Sequence, residues 1–142
     1  MYDVKTFTVE EANKLIPVLT PLLYQLEEMH TRLLGLQAQV DALELISENG
    51  VEENSPNGED AERLVIQMKT LADSYQVLVD KVQAYGCYLK GVFPTLIDFF
   101  HTHKGNVVYL CWMLGETEIN HWHAVGSGFS NRQTLSSLDQ TA

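Results

Sequence analysis

The chain has 142 residues, of which 45% are hydrophobic, which is enough for a single folded domain (1–142) with a buried core. Its 19 acidic and 9 basic residues give a formal net charge of −10, which disfavours nucleic acid and anionic membrane surfaces as partners. The sequence has neither the run of about 18 apolar residues that a membrane-spanning helix needs nor a recognisable signal peptide, so we expect a cytoplasmic protein that does not cross a membrane.

The first predicted element is a long helix over 8–47, kinked near 17–21. Thr8 and Glu11 have the S/T-x-x-E spacing of a capping box, which makes Thr8 the expected N-cap. Apolar residues then recur in alternating steps of three and four, the heptad pattern of a helix packed lengthwise against another helix. These positions are Ala12, Leu15, Leu19, Leu22, Leu26, Met29, Leu33, Leu36, Val40 and Leu43.

Two prolines interrupt this pattern. Pro17 and Pro21 each remove a backbone N–H donor and press against the preceding turn. Thr20 and Pro21 are suited to be the N-cap and first residue of a new helix. We therefore predict a short helix over 8–17 that is bent relative to a long helix over 21–47.

An acidic loop and a second helix follow. Residues 48–58 contain no base but include two Asn-Gly pairs and Pro56, which predicts a solvated loop. The second helix is predicted over 59–85, with Gly86 as the residue that ends it. Its heptad positions are Ala61, Leu64, Met68, Leu71, Tyr75, Leu78, Val82 and Tyr85.

The two predicted helices match in length, as an antiparallel helical hairpin requires. Further apolar residues lie beside both heptad stripes and make each stripe wider than one partner helix can cover. These are Ile16, Leu23, Leu34, Val65, Ala72 and Val79. We therefore expect a homo-oligomer in which a second copy of the hairpin packs against the first through the helices.

After the second helix the periodicity becomes that of strands. Residues 95–114 are predicted to form a β-hairpin around the turn Lys104-Gly105-Asn106, and 118–123 can add a third short strand. A polar C-terminal segment follows over 124–142. The predicted fold is thus α+β and mainly α: a long antiparallel helical hairpin with a small antiparallel sheet of two or three strands (95–123) near the C-terminus.

Short motifs along nearly the whole chain form a recognisable series. They are Thr8-Val9-Glu10-Glu11-Ala12-Asn13, Leu15-Ile16-Pro17, Pro21-Leu22-Leu23, Gly86-Cys87, Lys90, Ile97-Asp98-Phe99, Leu110-Cys111-Trp112, Gly115-Glu116, Ile119, Trp122-His123 and Gly128-Phe129 to Arg132. In this series the chain resembles a prokaryotic family known as domain of unknown function 2203. The resemblance implies no activity, but it places Lys90, Asp98, Glu116, His123 and Arg132 on motif positions.

The chain departs from the family pattern at two positions. The family usually has an aromatic residue at the place of His121, and a proline at the place of Phe100. The resemblance therefore assigns no role to His121, and none to His101 or His103.

Four of the five histidines form two i, i+2 pairs, His101-x-His103 and His121-x-His123. On a strand, such a pair places both imidazoles on one side, where they can offer two nitrogens to Zn or Fe. Either Glu116 or Asp98 can supply an oxygen as third ligand, and His123, His121 and Glu116 are the candidate metal ligands. The alternative is that the first pair is solvated beside a turn and that His123 only hydrogen-bonds Glu116 or a backbone carbonyl.

Glu116, His123 and Arg132 also combine an acid, a titratable ring and a forked cation. Such a set can bind a small anionic ligand or transfer protons. Lys90 and Asp98 join them as candidate ligand-binding residues. The alternative is an internal salt-bridge network that fixes the C-terminal segment onto the hairpin.

Cys87 and Cys111 lack the C-x-x-C spacing of redox or metal motifs, and we expect reduced, buried and unreactive thiols. The sequence as a whole predicts a non-enzymatic, oligomeric binding domain, with a small-ligand or metal pocket in the β region and C-terminal segment. One alternative is a metal-dependent or acid/base enzyme that uses the same pocket. Another is a helical scaffold for protein–protein interaction without a ligand.

Overall fold

The computed structural model describes residues 4–48 and 57–139, and it confirms a mainly helical α+β fold. The helices are α1 (Val9–Glu48), α2 (Asn57–Gln83) and α3 (Leu135–Leu138), and the strands are β1 (Tyr88–Gly91), β2 (Leu96–His103), β3 (Asn106–Met113), β4 (His121–Ala124) and β5 (Gln133–Thr134). The predicted acidic loop, apart from its two ends, lies outside the described residues, as do the last three residues of the predicted polar tail. None of the described helices is long and apolar enough to span a membrane.

Two compact units make up the described chain. One unit, here called the sheet unit, contains residues 4–24 and 79–139; the other, the hairpin unit, contains residues 25–48 and 57–78. Both long helices contribute to both units.

The capping box at the start of α1 is confirmed. The backbone N–H of Glu11 donates to Thr8 Oγ1 at 3.0 Å, and the backbone N–H of Thr8 donates to Glu11 Oε1 at 2.9 Å. These reciprocal bonds satisfy two backbone donors that a helix N-terminus otherwise leaves without partners.

The predicted restart of the helix at Pro21 is wrong, because α1 is one helix that continues through Pro17 and Pro21. The kink near 17–21 stays a prediction. Both prolines are exposed, whereas Leu19 and Leu23 are fully buried on the opposite side of the helix. The Thr20 hydroxyl does not cap a new helix but donates to the Ile16 carbonyl at 2.6 Å. Tertiary packing of the buried side thus outweighs the local cost of the prolines.

The hairpin unit pairs α1 with α2 in antiparallel directions. Leu43 and Leu64 line one groove, and Leu36 and Leu71 line a second one. From the first groove to the second, the residue number falls by seven in α1 and rises by seven in α2, as expected for antiparallel helices. Helix α2 begins and ends within two residues of the predicted 59–85. All the predicted heptad positions in both long helices are buried or half-buried.

Gly86 turns the chain from α2 into the sheet. Its φ of +99° is in the left-handed region that favours glycine, and its N–H donates to the Gln83 carbonyl at 2.9 Å. A Cβ atom at this position would lie 3.2 Å from Phe7 Cζ and 2.7 Å from Lys5 Cδ. The missing side chain therefore also allows the N-terminal segment to pack closely here.

The sheet is an antiparallel meander in the order β1-β2-β3-β4-β5. The predicted β2-β3 hairpin is confirmed, but its turn has two residues instead of three, since His103 pairs directly with Asn106. Lys104 and Gly105 both have positive φ, +50° and +82°, as a tight hairpin turn requires. The two outer strands were not predicted, because segments of four and two residues are too short to show strand periodicity.

One face of the sheet packs against both long helices in the sheet unit. The core contains Phe7, Ala12, Leu19, Leu23, Val82, Cys87, Ile97, Phe99, Leu110, Trp112 and Ile119. The N-terminal segment joins the sheet, since the Phe7 N–H donates to the Phe100 carbonyl at 2.7 Å. Further along α1, Asn13 Oδ1 accepts the backbone N–H of Ile119 at 2.7 Å.

A smaller cluster on the same face holds the C-terminal segment. Leu138 of α3 packs with Val108 and Trp122. The Trp122 indole N–H donates to Ser137 Oγ at 3.0 Å. The chain between β4 and α3 is therefore fixed at both ends to the sheet.

Candidate functional site

The strand register places most of the predicted site residues on the other face of the sheet. Asp98 pairs with Cys111, Cys111 pairs with His121, and Tyr109 pairs with His123. Because side chains alternate along a strand, these residues all point away from the hydrophobic core. We call this surface the outer face; it consists of Asp98, Phe100, Tyr109, Cys111, His121 and His123.

Asp98 and His123 form a buried pair at the centre of the outer face. Asp98 is 3% exposed and His123 is 2% exposed. The distance between His123 Nε2 and Asp98 Oδ2 is 3.0 Å, and His123 Nδ1 lies 2.9 Å from the Ala124 carbonyl oxygen. A carbonyl can only accept, so Nδ1 carries a hydrogen and donates.

The contact between Nε2 and Oδ2 also needs a hydrogen, and it can reside on either residue. The pair is then either a neutral carboxylic acid with a neutral imidazole, or a carboxylate with an imidazolium. Both forms have the same net charge of zero. Burial raises the pKa of Asp98, while His123 and Lys90 act in the opposite direction.

Asp98 has a second oxygen that is left without a hydrogen bond. Oδ1 is buried and has no partner of acceptable geometry among the described residues, although the Cys111 thiol interacts with the carboxyl group. A buried polar atom without a partner costs free energy. Such an atom therefore needs a functional explanation or a missing partner.

Cys111 is the third member of this buried group. Its Sγ, an Asp98 oxygen and a His123 nitrogen all lie within 4.8 Å of one another. We call these three residues the Asp98 cluster; within the described ranges it is the one group of three such side chains close enough to hold a metal ion. Burial raises the pKa of the Cys111 thiol to about 12, and the nearby Asp98 carboxylate adds to this effect.

Glu116 and Arg132 form a second arrangement beside the cluster. Arg132 donates from Nη1 and Nη2 to the two Glu116 oxygens, both at 3.1 Å. Glu116 Oε1 also accepts the backbone N–H of Met113 at 2.7 Å. The Arg132 guanidinium stacks on Phe129 at 4.6 Å and interacts with the Cys111 sulfur. This pair fixes the C-terminal segment next to β3.

His121 lies close to this ion pair but forms no hydrogen bond with it. The distance between His121 Nδ1 and Glu116 Oε2 is 3.6 Å, and Nδ1 is buried without a hydrogen-bond partner among the described residues. Glu116 is thus shared between Arg132, a backbone donor and a nearby imidazole. Its contacts are those of a structural ion pair.

Lys90 lies at the other side of the outer face, on β1. Its Nζ is 3.4 Å from the Tyr109 hydroxyl and 4.6 Å from the centre of the Tyr109 ring. Tyr109 also stacks on Phe100 and contacts the His123 ring at 5.3 Å between centres. Lys90 is therefore near the Asp98 cluster, where its charge acts on Asp98.

The two histidine pairs lie on opposite faces of the sheet. His101 and His103 alternate with Asp98 and Phe100 along β2, so they point to the core side. His101 Nδ1 hydrogen-bonds the Phe7 carbonyl at 2.7 Å. A site built from all four histidines is therefore not formed.

The structure thus brings the predicted residues together in a different grouping. His123 pairs with Asp98, whereas Glu116 pairs with Arg132 and has His121 beside it. Cys111 was not a predicted site residue, although it lies in the motif Leu110-Cys111-Trp112, because a cysteine within an apolar strand is typical of a buried, unreactive thiol. The strand register could have identified it, because it places Cys111 directly opposite Asp98.

Comparisons with known proteins give a family and no function. No curated protein and no solved structure matches the chain. A family model described as "Uncharacterized conserved protein (DUF2203)" matches residues 5–135, which is nearly all of the described chain and includes every residue of the outer face. The chain therefore belongs to the family of uncharacterized conserved proteins designated domain of unknown function 2203.

Proposed function

We propose that this protein is a binding domain whose ligand, a small molecule or a metal ion, is held on the outer face of the sheet by the Asp98 cluster. The observation that carries the proposal is the buried Asp98 Oδ1, which has no hydrogen-bond partner in the described part of the chain. A protein that needs only stability gains nothing from such an atom, because an apolar residue of similar size would avoid its desolvation cost. A ligand at the cluster would supply the missing partner.

The contacts of the cluster favour binding over covalent catalysis. Both ring nitrogens of His123 are engaged, one by Ala124 and one by Asp98, so His123 is not free to activate Cys111 as a general base. The raised pKa of Cys111, about 12, keeps its thiol protonated and unreactive in the unliganded protein. These contacts therefore favour a binding domain over an acid/base enzyme at this site.

Native mass spectrometry tests the proposal. Protein purified without a metal-affinity column should retain a bound species that is lost on denaturation, and Asp98→Asn should release it. His101→Gln is the matched control, because this histidine lies on the opposite face. A wild-type mass equal to that of the bare chain, together with no stabilisation in a screen of metal ions and small acids, would contradict the proposal.

The same experiment separates binding from catalysis. If His123→Ala loses the bound species while neither protein turns over substrates in an activity panel, binding is favoured. Turnover by the wild type that disappears in His123→Ala would instead establish the enzyme alternative.

A second proposed function is self-association through the hairpin unit. Large apolar side chains on both helices are exposed there, including Leu34 at 58% and Ile66 at 60%. A groove of about 720 Å³, lined by residues of α1 and α2 such as Leu36 and Ile66, runs beside them. Exposed apolar surface of this kind on a helical pair can be covered by another helical pair. This supports a homo-oligomer that carries the binding site, or a scaffold if no ligand exists.

A further inference from the structure

We propose that the Asp98 cluster is a site for one divalent transition-metal ion of the zinc type, with Asp98, Cys111 and His123 as the protein ligands. This inference rests on the proposed binding function and names its ligand. It replaces the grouping of His121, Glu116 and His123 that the sequence pattern suggested.

The first argument is distance. The three ligand atoms lie within 4.8 Å of one another, and the nitrogen and oxygen are 3.0 Å apart. Zinc–ligand bonds of roughly 2.0 to 2.3 Å in a tetrahedral site place the ligand atoms about 3 to 4 Å from each other. Small side-chain movements would therefore suffice to enclose an ion.

The second argument is the unpartnered carboxyl oxygen. Asp98 is more than nine-tenths buried, and its carboxyl group interacts with both His123 and Cys111, so Oδ1 belongs to the same group. His103 Nε2 and His121 Nδ1 are also buried without a hydrogen bond among the described residues, but neither lies in a group of three possible ligands. The Asp98 cluster combines a buried acceptor without a hydrogen bond among the described residues, Asp98 Oδ1, with three possible metal ligands.

The third argument is the orientation of His123. Its Nδ1–H donates to the Ala124 carbonyl, which fixes the ring and presents Nε2 to Asp98. Histidines that ligate metals commonly donate their other ring N–H to a carbonyl in this way. All three ligands also lie on paired strands, which hold their backbones in a fixed register.

Two cations nearby, Lys90 and Arg132, could oppose a metal ion. Arg132 is balanced by its two hydrogen bonds to Glu116. In the unliganded cluster, the Asp98–His123 pair holds one proton and the Cys111 thiol holds another. Binding of one divalent ion to the carboxylate, the thiolate and the neutral imidazole releases both protons to solvent, so the charge of the cluster does not change. The cations therefore face the same charge before and after binding.

The mixture of donors selects the metal. A thiolate and an imidazole favour zinc and its neighbours over Mg²⁺ or Ca²⁺, which prefer oxygen ligands. Three protein ligands leave one position for water or a further ligand.

Titration of Zn²⁺ into metal-free protein tests the inference. The wild type should bind one equivalent and show a melting temperature raised by several degrees, and excess Mg²⁺ should not compete. Asp98→Asn, Cys111→Ser and His123→Gln should each weaken binding at least about 100-fold, since loss of a ligand should cost no less than loss of a supporting residue. Cys87→Ser is the matched control, because Cys87 is also buried but binds the Val82 carbonyl in the core.

Co²⁺ provides a readout that does not depend on mutants that fold. A cobalt–thiolate bond gives a near-ultraviolet charge-transfer band, which should appear in the wild type and in Cys87→Ser. A zinc-edge absorption spectrum should show one sulfur with nitrogen or oxygen neighbours. A Co²⁺ complex of wild type without the charge-transfer band would overturn the assignment of Cys111.

Each remaining outcome is also decisive. If His121→Gln abolishes Zn²⁺ binding and Cys111→Ser does not, the ligand set proposed here is wrong. If Zn²⁺ does not bind but native mass spectra show another species that Asp98→Asn releases, the metal inference fails and the binding function stands. If neither is found, both fail.

Discussion

Asp98 is a buried carboxylic acid at the centre of the outer face. Its neighbours along β2, Ile97 and Phe99, are fully buried in the core, whereas Asp98 points to the outer face and is nearly as inaccessible. Burial raises the pKa of its carboxyl group, so the folded protein holds this proton more tightly than the unfolded chain does. Folding stability must therefore depend on pH through this residue.

The sign of this dependence can be tested with Asp98→Asn. Because the folded-state pKa is raised, the contribution of Asp98 is fully present below its ordinary value of 3.8 and is lost as the pH rises through the folded value. We expect the free energy of unfolding of the wild type, relative to Asp98→Asn, to fall as the pH rises above the ordinary carboxyl value of 3.8. Urea unfolding in metal-free buffer measures it; a difference that rises with pH would contradict the assignment.

At this scale, the sequence identified some site residues and missed another. Asp98, Glu116, His123 and Arg132 were found because charged or titratable residues stand out in an apolar or glycine-rich context. The sequence does not predict which of these residues pair with each other, because a pair such as Asp98 and His123 is separated by 25 residues and depends on two strand registers. The sequence pattern predicts that Cys111 is buried, and the structure confirms it, whereas its position opposite Asp98 follows only from the strand register.

Among the elements, the turn between β2 and β3 decides which outer-face residues meet. The predicted turn of three residues would have shifted the register, whereas the two-residue turn at Lys104 and Gly105 sets Asp98 against Cys111. A shift of one residue would move each β3 side chain to the other face. The helices were easier to predict, because their heptad patterns extend over many turns, and only the effect of buried packing at Pro17 and Pro21 was missed.

Replacing glycine by alanine can destabilise the protein in two ways, through a disfavoured backbone angle and through a steric clash of the added Cβ. Two glycines of this chain allow these two effects to be separated. Gly86 and Gly115 both have positive φ, +99° and +106°, but a Cβ would meet Phe7 and Lys5 only at Gly86. We expect Gly115→Ala to lower the free energy of unfolding by about 1 kcal/mol. Gly86→Ala should cost about 1 kcal/mol more, because Phe7 must move. Equal losses in urea unfolding would show that the N-terminal segment adjusts freely.

The ion pair between Glu116 and Arg132 holds the segment after β4. Arg132→Lys removes the two parallel hydrogen bonds and the flat stacking on Phe129, so we expect a loss of about 1 kcal/mol. Arg132→Met should cost about 2 kcal/mol, because Glu116 is then left partly buried without its cation. Thermal or urea unfolding measures both.

The control for this prediction is Arg63, which pairs with Asp60 at 3.9 Å on an exposed surface. Arg63→Lys should change stability by less than about 0.5 kcal/mol. If Arg132→Lys changes the free energy of unfolding as little as Arg63→Lys does, the ion pair between Glu116 and Arg132 does not stabilise the fold.

For the whole molecule, the proposed self-association predicts a mass above that of one chain, 16.0 kDa. Light scattering at micromolar concentration should give at least two chains, and Ile66→Glu should reduce the mass to one. Val107→Glu, which adds the same charge to an exposed valine in the sheet unit, should leave the mass unchanged. A wild-type mass of 16.0 kDa would remove the support for a helical interface.

The hydrogen bond between Asn13 and Ile119 has a consequence for synthesis of the chain. It joins positions 106 residues apart, and the hydrogen bond between Phe7 and Phe100 joins positions 93 apart. On the ribosome, the beginning of α1 emerges long before either partner has been translated. Its leucines must stay uncovered during that delay, so nascent chains that end before Ile119 should be protease-sensitive and should recruit chaperones.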